Sequence, residues 1–160
     1  NARLGDWCEA ACRTADIPMQ RGGTYLVMEG PQFSTLAESN LYREWGCDVI
    51  GMTNMPEAKL AREAEIPYCT VAMVTDYDCW HPDHDNVEVD AIIQVLLNNA
   101  EKARQLVRAV AKKMPQRPAV CPSGDDEALL AALITHADAR DPALLEKLDA
   151  VAGRMLKGET

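Results

Sequence analysis

Two periods organise the apolar positions of this chain, one of about 3.6 residues and one of short continuous runs. Leu4, Trp7, Cys8, Ala11 and Ala15 fall at helical spacing with Pro18 just beyond, which predicts a helix over residues 3–15. Tyr25-Leu26-Val27-Met28 is a short apolar run of strand character, ended by Gly30-Pro31. Ser34-Thr35 follows, with Glu38 three residues after Thr35, a capping-box pattern that opens a helix running to about Trp45. Gly46 can close that helix in the left-handed conformation. Cys47–Met52 reads as a second strand, and Asn54 with Pro56 opens another helix that ends near Glu65. Cys69–Thr75 is apolar and rich in β-branched residues, which predicts a third strand buried on both faces. After a polar loop at 76–87, Val89, Ile92, Ile93, Leu96, Ala100, Ala103, Val107 and Val110 keep the helical period for about six turns.

Strands alternating with helices predict an α/β fold, with a mostly parallel or mixed central sheet flanked by helices. Pro115, Pro118 and Pro122 with Ser123-Gly124 break the pattern. The expected division is therefore an α/β part over 1–116 and a C-terminal helical extension over 117–160. In that extension, Glu127–Ala137 and Pro142–Leu156 read as two amphipathic helices. They form an expected hairpin against the same domain or a neighbouring subunit.

Composition narrows the function. The net charge of −9 argues against a nucleic-acid partner, which needs clustered cations. Lys102, Arg104, Arg108, Lys112, Lys113 and Arg117 do recur nearby, but on a helix beside Glu101 they read as a solvated face. The six cysteines form no C-x-x-C pair, so they are read as reduced thiols with no disulfide. No apolar run reaches the roughly 20 residues of a membrane span, and no secretory leader opens the chain. The expectation is a soluble, cytoplasmic protein with no membrane partner.

In open α/β sheets, ligands bind at the carboxyl ends of strands. That rule selects Glu29–Ser34, Gly51–Asn54 and Thr75–Asp78, each leading towards a helix whose N–H groups can face an anion. Phe33, Met52, the hydroxyls of Ser34 and Thr53, and the carboxylates of Asp76 and Asp78 suit a sugar attached to a flat base. Blander readings stand beside this one. Met52 is also ordinary core filler, and Asp76 and Asp78 also suit a plain turn. Residues 76–85 hold seven groups able to bind metal, which raises a non-catalytic metal- or ligand-binding module as an alternative. The spacing matches neither a zinc finger nor a calcium loop, so no metal is expected.

These segments, together with Ala37-Glu38, Gly46–Thr53, Pro56-Glu57 and Thr75–Trp80, resemble the trimeric purine nucleoside phosphorylases, in particular their methylthioadenosine-cleaving branch. The resemblance covers about residues 3–115; residues 120–160 depart from the better-known forms. It implies a pentosyltransferase that needs no cofactor, with inorganic phosphate as co-substrate. Phe33 would pack near the nucleoside and Ser34 would lie at the base edge. Met52 would lie under the ribose and Thr53 at the phosphate. Asp76 would hold N7 of the purine as the catalytic acid, with Asp78 near the 6-amino group. Val89 and Ile92 would line the pocket for the 5′ substituent. Relatives that prefer 6-oxopurines carry Glu where this chain has Ser34 and Asn where it has Asp76. Both positions therefore imply phosphorolysis of 5′-methylthioadenosine, with another nucleoside preference as the alternative. The family also has an N-terminal half with a Gly-rich phosphate loop and an Arg-His phosphate pair. No such segment occurs in this chain, which reads as the C-terminal half. A separate polypeptide carrying the other half, and a homotrimer of the complete unit, are the expected partners.

Overall fold

The computed structural model describes residues 1–81, 89–116 and 118–157, with the backbone alone for 89–92. These fall into two compact units. One comprises Gly5–Asn54 and Thr70–Pro115; the other comprises Asn1–Leu4, Met55–Cys69 and the residues from Gln116 onward.

The first unit is built on a strand-helix-strand crossover. β1 (Tyr25–Val27) and β2 (Val49–Gly51) pair in parallel with Tyr25 opposite Val49 and Val27 opposite Gly51. Parallel neighbours need a crossover, here α2 (Leu36–Glu44). Asp48 sets the register: its carboxylate accepts the Thr24 N–H at 2.6 Å. The N–H groups of Asp48 and Val49 both donate to the Thr24 carbonyl, at 2.9 and 3.2 Å. α2 begins with the expected capping box. Thr35 accepts from the Glu38 N–H while Glu38 accepts from the Thr35 N–H. Those hydrogen bonds hold the Glu38 carboxyl below its ordinary range. At the other end Gly46, at φ 74°, gives the left-handed closure; its N–H reaches Arg43 O and that of Cys47 reaches Tyr42 O.

The same double hydrogen bond closes α1 (Ala2–Thr14), with Asp16 at φ 52° in the left-handed position. α1 buries Ala11 and Cys12 against Leu106 of α4 (Val89–Lys113), edged by Ile17, Ala109 and Val110. Burying a leucine side chain contributes about 1.5–3 kcal/mol. The same burial pushes the Cys12 thiol up.

The third strand is a correction. Cys69–Thr75 forms no strand, and among the described residues the sheet has two strands. Val71, Met73 and Val74 are exposed rather than buried on both faces. Strand character needs a neighbouring ladder, and this segment's polar contacts go elsewhere. The Thr70 hydroxyl donates to Asn54 Oδ1 at 2.6 Å, and the Asn99 amide donates to Val74 O at 2.9 Å. Asn54 accordingly does not cap the next helix; Pro56 occupies that N-cap without a side-chain hydrogen bond.

In the second unit, α3 (Glu57–Glu63) ends with Glu65 at φ 55°, and α5 (Pro142–Leu156) starts on the Asp141 cap with Pro142 in its first turn. The expected hairpin is absent. Glu127–Ala137 is a chain of turns, with 3₁₀ pieces over Asp125–Glu127 and Ala137–Ala139. An isolated helix this short is marginal, and the Leu129 N–H, needed for a helical ladder, donates to Glu65 Oε1 at 3.1 Å. Glu65 also receives Arg154 of α5 through both carboxylate oxygens, at 2.9 and 2.8 Å. Among the described residues, no helix is long and apolar enough to cross a membrane.

Candidate active site

The carboxyl end of β1 turns at Gly30, whose φ of 73° suits glycine. A Cβ there would meet Met52 Sδ at 2.7 Å. The absence of a side chain thus lets the thioether from the end of β2 lie directly on the turn after β1. Ser34 follows this turn, just before the α2 cap, and its hydroxyl points to Met28 Sδ at 3.7 Å. Phe33 stands 83% exposed among the described residues. Thr53 is exposed in the bend after β2, and Met52 is half-buried.

The 75–81 segment comes to the same place. Cys79 Sγ donates to the Ser34 carbonyl at 3.5 Å. Asp76 is exposed, and both of its oxygens are engaged: Oδ2 accepts from the Thr75 hydroxyl at 2.7 Å and Oδ1 from the Asp78 N–H at 2.9 Å. Asp78 itself sits at φ 61°, in the left-handed region. Among the described residues, Asp76 is not buried.

Six of the eight residues singled out from the sequence (Phe33, Ser34, Met52, Thr53, Asp76 and Asp78) thus lie on three segments joined through the Gly30–Met52 and Ser34–Cys79 contacts. Val89 and Ile92 lie in α4, but their side chains fall outside the described residues. The metal-module alternative also depends on Asp83, His84 and Asp85, which lie outside them too. Among the described residues, no group of three metal-binding side chains converges.

Sequence reasoning missed Arg43 and the aromatic cluster beside it. The Arg43 guanidinium carbon stands 3.8 Å from the Trp80 ring centre, while Tyr77 stacks at 4.9 Å on His81. No local spacing signals a pair 37 positions apart; only the crossover topology brings α2 to this segment.

Residues 1–112 match the family model of the Phosphorylase superfamily. The chain belongs to the phosphorylase superfamily. Within it, the chain is 65% identical over 156 residues to the S-methyl-5'-thioadenosine phosphorylase of Rhodospirillum rubrum, covering 98% of this chain and 53% of that protein. It is 64% identical over 156 residues to the enzyme of the same name from Bradyrhizobium diazoefficiens, covering 98% of this chain and 54% of that protein. A crystal structure of a methylthioadenosine phosphorylase from an antarctic soil metagenomic library superposes with a TM-score of 0.82 at 42% identity, over 94% of this chain and 53% of that one. The methylthioadenosine phosphorylase of Schistosoma mansoni, solved with adenine, superposes with a TM-score of 0.68 at 26% identity, over 82% of this chain and 52% of that one. The chain thus spans about half the length of the phosphorylases it matches. The family model ends at residue 112, while the likeness to the Rhodospirillum rubrum protein extends over 156 residues and so into the C-terminal extension.

Proposed function

We propose that this phosphorylase chain carries the purine- and ribose-binding part of an enzyme that cleaves 5′-methylthioadenosine to adenine and 5-methylthioribose-1-phosphate. The observation that carries this reading is the meeting of Ser34 and the Asp76–Asp78 turn through the Cys79–Ser34 contact. In that reaction a phosphate oxygen forms a bond to the anomeric carbon as the bond to purine N9 breaks. The electron pair of the broken bond moves onto the base, and a proton delivered to N7 neutralises it. Asp76 is the proton donor in this reading, and Asp78 accepts from the 6-amino group. Such general acid help contributes about 10²–10⁴ in rate.

Asp76 carries that proton in the complete enzyme, where the bound purine and the rest of the phosphorylase domain cover it. Phe33 packs beside the nucleoside, Ser34 lies at the base edge, Met52 lies under the ribose and Thr53 meets phosphate. Val89 and Ile92 line the methylthio pocket. Inorganic phosphate is the co-substrate, and no cofactor takes part. Residues 1–116 form the substrate-binding part and 117–160 its extension. The rest of the phosphorylase domain completes the site, the complete unit assembles as a homotrimer, and the enzyme works in the cytoplasm.

The test is phosphate-dependent base release by the assembled enzyme with methylthioadenosine and with inosine. Adenine released from methylthioadenosine, with little hypoxanthine from inosine, is the expected result. The reverse preference would mean that Ser34 and Asp76 have been misread.

A further inference from the structure

The turn that carries Asp76 and Asp78 is held from a point outside the site. Arg43, near the end of α2, lies over the face of Trp80 at 3.8 Å. Trp80 closes the 3₁₀ turn Asp78–Trp80, and Tyr77 meets its ring edge-on at 6.0 Å and 81°. That turn carries Asp78 in its left-handed conformation, from which its N–H donates to Asp76 Oδ1 at 2.9 Å. The adjacent residue Cys79 reaches the Ser34 carbonyl, just before the opposite end of the same helix. Cys79 and Trp80 therefore tie one turn to both ends of α2. A helix resists stretching, so the two contacts together fix where Asp76 stands relative to Ser34.

We propose that Arg43 and Trp80 are positioning residues that set the placement of Asp76 against the base edge, and through it the purine preference. This rests on the phosphorolytic reading above. The attraction is that of a cation for the negative face of an aromatic ring, so it needs both a flat ring and a positive charge. Loss of either partner releases the turn, and Asp76 meets N7 less often in a productive geometry. A misplacement of this kind lowers kcat more than it raises KM.

Arg43→Gln, Trp80→Leu, their combination and Trp80→Phe, made in the assembled enzyme, test the proposal. Each of the first two is expected to lower kcat for methylthioadenosine by about tenfold, the size of a significant cation–π contact. KM should move less, and the preference for methylthioadenosine over inosine should narrow. The combination should be no worse than the poorer single variant, since both remove one contact, and Trp80→Phe should recover most of the activity. A readout independent of turnover is hydrogen exchange at the Asp78 amide, expected to quicken by about tenfold in either single variant. Multiplying losses in the combination, or an unchanged Asp78 amide, would overturn the proposal. If the unaltered enzyme cleaves neither nucleoside, the functional reading fails, and the amide exchange still decides whether Arg43 and Trp80 hold the turn.

Discussion

At the scale of single residues, several positions matter because of what they lack or where their charge sits. Gly30 adopts φ 73° with Met52 Sδ where a Cβ would go. Gly30→Ala is expected to cost about 1–2 kcal/mol, from the left-handed backbone and the displaced thioether, measured by urea unfolding. Asp125 offers a different test. Its carboxylate is held by the Asn1 side-chain amide, the Ser123 hydroxyl and Arg62, which bring its pKa from 3.8 down to about 2. A lowered folded-state pKa stabilises the fold above the unfolded value, and that contribution disappears as pH falls through the folded value. Stability should therefore drop between about pH 4 and pH 2, and the drop should be smaller in Asp125→Asn when melting is followed across that range. An equal drop in both proteins would remove Asp125 from the account. The residue scale is also where the sequence was least legible. Asp76 and Ser34 stood out, but the partner of Trp80 did not, because Arg43 reaches it only after the chain has crossed from β1 to β2.

At the scale of elements, local signals were the reliable ones. Thr35 with Glu38 and Gly46 after Trp45 both mark helix ends that the structure places at these positions. Such signals work because capping is satisfied within a few residues of sequence. Cys69–Thr75 and Glu127–Ala137 misled because their fate depends on distant partners. An apolar run becomes a strand only beside another ladder, and the short Ala- and Leu-rich segment gave up its Leu129 N–H to Glu65. Thr35→Ala should lower stability by about 1 kcal/mol, read from urea unfolding, as is usual for a lost N-cap. Asp16→Gly should raise it by about 0.5–1 kcal/mol, because Asp16 closes α1 at φ 52° and glycine adopts that conformation without a Cβ clash. A destabilised Asp16→Gly variant would show that the Asp side chain stabilises the cap in some other way.

At the scale of the whole molecule, the α/β class and the parallel crossover were legible before the structure. They follow from alternation of element types and from the rule that parallel neighbours need a crossover. The phosphorylase family membership agrees with that architecture. What the pattern of one chain does not contain is the remainder of the domain: the chain spans 53% of its Rhodospirillum rubrum relative. Phe33 at 83% exposure and the open Val71–Val74 segment are the places where that remainder and the substrate are expected to lie.

The most direct measurement is the ratio of kcat/KM for methylthioadenosine to that for inosine, in the assembled enzyme and in its Ser34→Glu/Asp76→Asn variant. A site that pairs buried polar groups with its substrate discriminates strongly against the wrong partner. The ratio should favour methylthioadenosine in the unaltered protein and fall by about a hundredfold or more in the variant, with inosine cleavage gained. An unchanged ratio in a folded, active variant would show that Ser34 and Asp76 do not read the base.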